Sequence, residues 1–519
     1  MRSESCKVRA AVQLRFRAER TTVLYVIVAI LASAPAWIVK YPPMMDLPFH
    51  LATIRVIHSI HDPAFGLDTD FFLTLGRTQY VLYYVVGSVL AYVLGVAKAN
   101  IVLMSGYLAG TVLALRALLR ALGKDERLCL FVIPLLVNVM FMFGLFPFLL
   151  GIPIMFWALA VTVRYFEKPT LPRGALLAAL TLALFYSHIF PFGIFGLGFA
   201  AMLPWSKLWT DTKRFFLSVL PPIPALLVLT WWTLFTDAGK LVRGALTDTA
   251  QDSKQPVDGA IADAHNWLTN IFRDTSDDVI FVALGLVALL SVGFAYGDRD
   301  GRAPGRQRLS RAYALLPIAC VLFYFNSSQG HGYIWLIAQR FPILFLMTAI
   351  PLLRIPSGFR GTVVTAAVLG VGVVSTVNTC KHFIQFQLEE VGDIDDAIAA
   401  IPAKQRVCAL IYDKGSNITH SMFVPFMHFG SYYQVNKGGV VMFTYAGYAH
   451  WPFDFKPGHY PPPGGSARLR WEWTPEQVPI NEVFPYYDYV LTRGAGFRPP
   501  PGTFHVKWHS DKWAVWAKD

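Results

Sequence analysis

Long apolar stretches dominate this chain and constrain its fold more than any other feature. A helix needs about 20 mostly apolar residues to cross a bilayer, and the chain has more such stretches than soluble cores could bury. Only 15% of its 519 residues are charged, against about 25% in soluble domains. The sequence therefore predicts a polytopic α-helical membrane protein, with spans near 22–39, 100–118, 128–143, 147–163, 174–189, 191–205, 215–235, 278–296, 312–325, 333–352 and 361–378.

Lys and Arg are concentrated in short segments between the predicted spans. Such clusters mark cytoplasmic loops, so the net charge of +12 indicates orientation in a membrane and no nucleic-acid partner. The first apolar run, 22–39, is too long for a signal-peptide core and lacks a cleavage site, which predicts a retained span. The basic clusters lie at 1–21, 116–127, 164–173, 207–214, 299–311 and 354–360.

The apolar stretch 79–96 is predicted to lie in the membrane interface. If it crossed the membrane, the basic loop 116–127 would fall on the outer side. Its four tyrosines among Val and Leu are typical of an interfacial helix. We therefore expect about eleven spans and one juxtamembrane helix, with the N-terminus inside and the C-terminus outside.

Three segments are then predicted to face outward. They are the loop 40–99, the loop 236–277 and the tail 379–519, which follows the membrane domain 22–378 and the basic N-terminus 1–21. The tail combines a helical pattern with short strand patterns between Pro and Gly turns, which predicts a small α/β soluble domain. Cys380 and Cys408 lie in or beside it, and the sequence leaves open whether they pair.

The first outer loop contains an acid directly beyond the first span. Asp46 is followed four residues later by His50, and on a helix the two would share a face. We expect Asp46 to act as a general base, with His50 orienting it or an acceptor hydroxyl. The alternative is that Asp46 caps the helix that follows.

The same loop carries a second acidic pattern and a basic residue. Asp68 and Asp70 form a D-x-D sequence, which predicts either a divalent-metal site on a sugar diphosphate or a solvated acidic turn. Arg77 follows before the juxtamembrane stretch. A cation there either holds a lipid phosphate or extends from the interface to water without a ligand.

Three more polar residues lie at the predicted outer ends of spans. His188 and His331 fall in outer hairpins, and Arg340 falls inside an apolar span, where a charge is costly unless it is paired or near water. We expect these three to bind substrate, with Arg340 facing an anion. A structural ion pair between Arg340 and an outer-loop acid is the alternative.

Several enzyme and transporter classes are disfavoured. The sequence has no Gly-rich phosphate loop, serine nucleophile elbow or zinc-ligand spacing. It also lacks charges in the middle of several spans, which an ion-coupled transporter usually carries.

The order of these features resembles the C-type (GT-C) superfamily of membrane glycosyltransferases, in the branch of protein O-mannosyltransferases and the lipid A aminoarabinose transferase. The resemblance rests on "MMDLPFHLA" with Asp46, on Arg77 followed by "TQYVLYYVVGSVLAYVLG", and on the basic turn "LRALLRALGKDER". The tail sequences "HFGSYYQVNKGG", "YYDYVLTRG" and "WHSDKWAVWAKD" look like those of uncharacterised bacterial members. The sequence departs from the family in "MFMFGLFPFLLG", where relatives often carry a second acid.

The resemblance implies a GT-C-like fold and a donor sugar on a polyprenyl phosphate. Asp46 would deprotonate an acceptor hydroxyl of a lipid, glycan or protein for an inverting displacement, and Arg77 and Arg340 would hold the phosphate. It implies a bacterial inner-membrane protein whose tail is periplasmic and which contacts membrane lipids. No cofactor is required, and a divalent metal at Asp68 and Asp70 is the alternative. The alternative hypothesis is a non-catalytic envelope-assembly protein with the same fold.

Overall fold

A computed structural model describes residues 22–247, 254–296, 304–331, 334–462 and 470–519. The basic N-terminus predicted at 1–21 lies outside these residues. The helices are α1 Thr22–Ala32, α2 Leu47–Ser59, α3 Val81–Leu94, α4 Val96–Ala121, α5 Val139–Phe143, α6 Phe146–Glu167, α7 Leu171–Ser187, α8 Ile189–Met202, α9 Lys207–Thr210, α10 Thr212–Val219, α11 Ile223–Phe235, α12 Asp237–Thr247, α13 Val257–Asp263, α14 Ser276–Phe294, α15 Pro304–Tyr313, α16 Leu315–Asn326, α17 Phe341–Ala349, α18 Gly358–Gln385, α19 Ile394–Ala400, α20 Ser431–Lys437, α21 Arg470–Trp473 and α22 Ile480–Val483.

The apolar helices make the chain a multi-pass membrane protein. Within the described residues, five helices are long and apolar enough to cross a bilayer, or six if α10 and α11, bent by 55°, count as one span. These five are α4, α6, α14, α15 with α16, and α18 with the π-helical turn Phe386–Val391 that follows it. Each overlaps one predicted span. Five further apolar helices are shorter, so the total of eleven spans stays a prediction.

The predicted juxtamembrane stretch forms a separate short helix. α3 has 14 residues, and at a rise of 1.5 Å per residue it measures about 21 Å, less than the roughly 30 Å of a hydrocarbon core. Gly95, with φ +75°, ends it and turns the chain into α4. Its length fits the interfacial position that the sequence predicts.

The predicted span 128–143 is not one regular helix. It consists of the 3₁₀ helix Glu126–Leu135, which contains Pro134, and the short α5. Between them the Asn138 side chain accepts hydrogen bonds from the amides of Met140 and Phe141, at 3.0 and 3.2 Å. Proline lacks the amide hydrogen that a continuous helix needs, and Asn138 starts a new helix as a cap. The segment is buried among its neighbours, so it forms core.

The tail contains the predicted small α/β domain. The strands of the described residues are β1 Phe71–Leu73, β2 Gly330–His331, β3 Ile334–Trp335, β4 Arg406–Ile411, β5 Val440–Val441, β6 Phe453–Phe455, β7 Tyr489–Arg493, β8 Phe504–His509 and β9 Trp513–Lys518. The five-stranded sheet of the tail has the order β5-β4-β7-β9-β8, with β5, β4 and β7 parallel and β9 antiparallel to both β7 and β8. Cys380 and Cys408 are both free, and Cys408 is buried.

The tail packs against both predicted outer loops. β6 of the tail pairs antiparallel with β1 of the first loop, Phe71 opposite Phe455. From the second loop, Arg273 donates a hydrogen bond from Nε to the carbonyl oxygen of Ser416 at 2.9 Å. The three predicted outer segments are therefore in contact, as segments on one side of a membrane must be to form a joint site.

Trp513 links the sheet to the turn Phe386–Val391 that follows α18, and its loss should destabilise the tail. Its ring is 1% exposed and stacks near Phe429, and its Nε1 donates to the carbonyl oxygen of Val391 at 2.7 Å. We expect Trp513→Ala to lower the free energy of unfolding of the tail by about 3–5 kcal/mol. Thermal unfolding in detergent and protease digestion of the tail would measure this. The control is Val506→Ala on the exposed side of β8, and equal loss in both variants would contradict the assignment.

Candidate active site

A cavity of about 880 Å³ lies where the first loop, the predicted outer ends of the membrane helices and the tail meet. All three parts supply polar side chains to it. The first loop and α3 contribute Asp46, His50, Tyr80 and Tyr84, the membrane part His188 and Arg340, and the tail His428, Tyr445, Tyr448, His450, Trp451, Arg470 and Glu472. The volume is within the range of about 300–1,000 Å³ typical of small-molecule sites.

Asp46 is fixed by its backbone and turned towards the tail. The amides of Met45 and Asp46 donate to the carbonyl oxygens of Met142 and Phe143, both at 3.0 Å. This close approach requires glycine at 144, with φ +83°, because a Cβ there would lie 3.1 Å from the Asp46 nitrogen. Asp46 stands at the N-cap of α2, but its carboxylate accepts no capping hydrogen bond. The capping alternative therefore does not describe this side chain.

The carboxylate of Asp46 contacts two tail residues through one oxygen. His428 Nε2 lies 3.3 Å from Oδ1, and the Tyr445 hydroxyl donates to the same atom at 3.4 Å. His428 Nε2 is within ion-pair distance of Oδ1 but makes no hydrogen bond among the described residues. Across the described residues, no hydrogen bond reaches Oδ2. One oxygen is thus held while the other is available in the cavity.

His428 is a buried imidazole between two acids. Its ring stacks on Phe49 with centroids 3.8 Å apart, and Nδ1 lies 2.7 Å from Glu472 Oε1. Burial opposes its positive charge, but Glu472 and Asp46 outweigh burial and raise the pKa of His428 to about 9. His428 is therefore protonated near neutral pH.

This raised pKa makes stability depend on pH in a defined window. Since the pKa of His428 rises from 6.5 to about 9 on folding, its stabilisation is complete below pH 6.5 and is lost as pH rises through 9. Burial lowers the pKa of His50 and His450 to about 4, so the ionisation of these two residues changes the stability only below pH 6.5. We expect the melting temperature to fall between pH 6.5 and 9, and Glu472→Gln to flatten that fall. An unchanged slope in the variant would contradict the pairing.

Arg340 is a buried cation at the cavity wall. Its guanidinium lies 3.4 Å from His188 Nε2 and donates to the carbonyl oxygen of Trp335 at 3.3 Å. It also lies over the rings of Phe148 and Phe190, at 5.6 and 5.0 Å from their centroids. No carboxylate of the described residues lies within 4.0 Å of it, so the predicted alternative of a structural pair with an outer-loop acid has no such partner there.

His50 lines the cavity but contacts a different residue from the one predicted. Its Nδ1 lies 2.8 Å from the Tyr84 hydroxyl. Among the described side chains, the imidazole that contacts Asp46 is His428, which the sequence did not single out. His188 lines the cavity beside Arg340, and its role in binding substrate stays a prediction.

Arg77, Asp68 and Asp70 lie outside the cavity lining. Arg77 is exposed, and its guanidinium is 3.7 Å from Asp454 of the tail. Asp68 and Asp70 form a turn in which Asp70 lies 3.1 Å from His459 Nδ1. No group of three or more His, Cys, Asp or Glu side chains in the described ranges is placed to hold a metal ion. His331 lies in β2, and its side chain is outside the described part of the structure.

Sequence reasoning missed the tail residues of this site. His428 lies within "HFGSYYQVNKGG", and Glu472 within "RWEW", but neither has metal or nucleophile spacing. Tyr445 and Asp46, which share a hydrogen bond, are 399 residues apart. The signal in the sequence is that two aromatic residues, Trp471 and Trp473, flank Glu472.

The comparisons with known proteins identify the fold. The crystal structure of ArnT from Cupriavidus metallidurans in the apo state matches with a TM-score of 0.51, over 96% of this chain and 98% of that one, at 11% identity. No family model and no curated protein sequence matches the chain. At this identity the likeness shows the fold alone, and it confirms the predicted architecture of a multi-span helical domain with a small C-terminal α/β domain: this chain has a fold similar to that of ArnT.

Proposed function

We propose that this protein is a membrane glycosyltransferase that uses a polyprenyl-phosphate-linked sugar. The observation that carries the proposal is that Asp46 and Arg340 line the same cavity. One is a carboxylate with an available oxygen, and the other is a buried cation with no carboxylate partner among the described residues. Such a pair suits a reaction that removes a proton at one end and releases a phosphate at the other.

Arg340 is suited to hold the phosphate. An unpaired buried charge is costly, and a phosphate would supply the missing anion with two parallel hydrogen bonds to the guanidinium. The surrounding rings of Phe148 and Phe190 exclude water and strengthen that attraction. Arg77, which is exposed and paired with Asp454, stays a second candidate for the same phosphate nearer the interface.

Asp46 is suited to act as general base. Its Oδ2 takes the proton of an acceptor hydroxyl, and the acceptor oxygen forms a bond to the anomeric carbon. The bond from that carbon to the phosphate oxygen breaks, and the electron pair leaves with the phosphate at Arg340. The displacement inverts the anomeric centre. Rings such as those of Tyr84 and Trp451 in the same cavity offer apolar faces for the sugar.

The acceptor is a hydroxyl of a lipid, a glycan or a protein, reached from the outer side. We place the protein in the bacterial inner membrane with the tail in the periplasm. Two features support this: the tail and both predicted outer loops are in contact, and most basic clusters of the sequence lie between predicted spans, as those of cytoplasmic loops do. The ArnT structure, whose fold this chain shares, is consistent with such a role.

Transfer of radiolabel from a panel of polyprenyl-phosphate sugars tests the proposal. Membranes that contain the protein should label a lipid, glycan or protein fraction, and membranes without it should not. If no donor is used while the protein is folded, the non-catalytic envelope-assembly function would be favoured instead. In that case the tail surface, and not the cavity, would be the part to examine.

A further inference from the structure

We propose that His428 and Glu472 are positioning residues for Asp46: Glu472 fixes the ring of His428, and His428 holds Oδ1 of Asp46, which directs Oδ2 to the acceptor hydroxyl. This inference rests on the proposed function and extends it, because it assigns part of the reaction machinery to the tail. All the site residues predicted from the sequence lie in the first loop and the membrane part.

The contacts form one continuous row from the tail to the base. Glu472 Oε1 is 2.7 Å from Nδ1 of His428, and Nε2 of the same ring is 3.3 Å from Asp46 Oδ1. The two nitrogens of the imidazole therefore face two different carboxylates, and these contacts fix the axis of the ring that runs through the nitrogens. Phe49, three residues after Asp46 and stacked on the ring, fixes its remaining rotation.

Burial indicates that this row has a function beyond docking the tail. The side chains of His428 and Glu472 are 2% and 3% exposed, and that of Asp46 is 14% exposed. A buried ion pair contributes little net stability compared with apolar residues of similar size, so an apolar contact would dock the tail as well. All three residues line the cavity, and Asp46, at the end of the row, has the most exposed side chain of the three.

The charges of the row suit proton uptake. With both carboxylates ionised and His428 protonated, the three groups carry one net negative charge, and a proton taken by Asp46 Oδ2 neutralises it. The other titratable groups that line the cavity include His50 and His450, whose burial lowers their pKa to about 4, Tyr445, whose burial raises its pKa, and the cations Arg340 and Arg470. None of these five groups is an anion near neutral pH.

The test compares His428→Ala, Glu472→Gln and a control, His505→Gln, whose exposed ring pairs with Asp519. We expect His428→Ala to lower kcat by about 10- to 100-fold, the usual effect of losing a residue that orients another, with KM for the donor unchanged because Arg340 is intact. The acid limb of the kcat profile should move to higher pH by about one unit or more, because a carboxylate that loses a neighbouring cation binds a proton more readily. Glu472→Gln should also lower kcat and move the acid limb to higher pH. His505→Gln should change neither kcat nor the acid limb.

A measurement without substrate separates this inference from the proposed function. The NMR titration of His428 in detergent should show its midpoint lowered in Asp46→Asn and in Glu472→Gln. An unchanged midpoint would overturn the row of contacts, whatever the activity. If the wild type transfers sugar and Asp46→Asn does not, but His428→Ala keeps the wild-type kcat and acid limb, the positioning role is wrong while the proposed function stands. Absence of transfer by the wild type would count against the proposed function alone.

Discussion

Asp46→Asn should lower the rate of sugar transfer by about 10³-fold, the typical contribution of a general base, without changing the amount of folded protein. Asparagine has the same shape and can still accept the hydrogen bond that Tyr445 donates to Oδ1. What it loses is the capacity to bind the proton of the acceptor hydroxyl. The measurement is transfer of radiolabelled sugar by membranes that contain equal amounts of each protein.

Asp68→Asn is the matched control for this change. Asp68 lies in the same outer loop, in the turn Leu67–Thr69, and does not line the cavity. It should keep wild-type transfer. If Asp68→Asn were inactive and Asp46→Asn active, the base would be wrongly assigned, and the D-x-D sequence would become the candidate metal site that the sequence also predicted.

Arg340→Gln should lower transfer by about 10²- to 10³-fold, because developing charge on the leaving phosphate loses its main partner. KM for the polyprenyl-phosphate donor should rise as well, since the same guanidinium binds the phosphate in the ground state. Arg340→Lys should recover only part of the rate, because an ammonium is a point charge that cannot make two parallel hydrogen bonds. Kinetics with varied donor concentration would measure both effects.

Arg77→Gln distinguishes the two candidate phosphate cations. Arg77 is exposed and paired with Asp454, so its removal should alter the rate by only a few fold through solvent-screened charge. A loss equal to that of Arg340→Gln would place the phosphate at the interface. A normal donor KM in Arg340→Gln would show instead that the buried guanidinium has a structural role.

The helices and the outer-loop acid could be predicted because both depend on local sequence. Hydropathy along about 20 residues is sufficient to predict α4, α6 and α18 as spans. The segment 128–143 is also strongly apolar, but it contains Pro134 and Asn138, and these interrupt the helix. Arg340 could be identified because a cation in an apolar run is rare, whatever surrounds it.

The sequence by itself determined the membrane class, the small tail domain, and Asp46 and Arg340 as candidate site residues, since these follow from composition and from neighbours along the chain. Only the tertiary structure decided which imidazole contacts Asp46. His50 is four residues from Asp46 but forms a hydrogen bond with Tyr84. His428 contacts Asp46 from the tail, which packs against the first loop through the pairing of β6 with β1. Contacts between residues about 400 positions apart in the sequence depend on how helices and strands pack together. That packing cannot be predicted from the periodicity or spacing of residues along the chain.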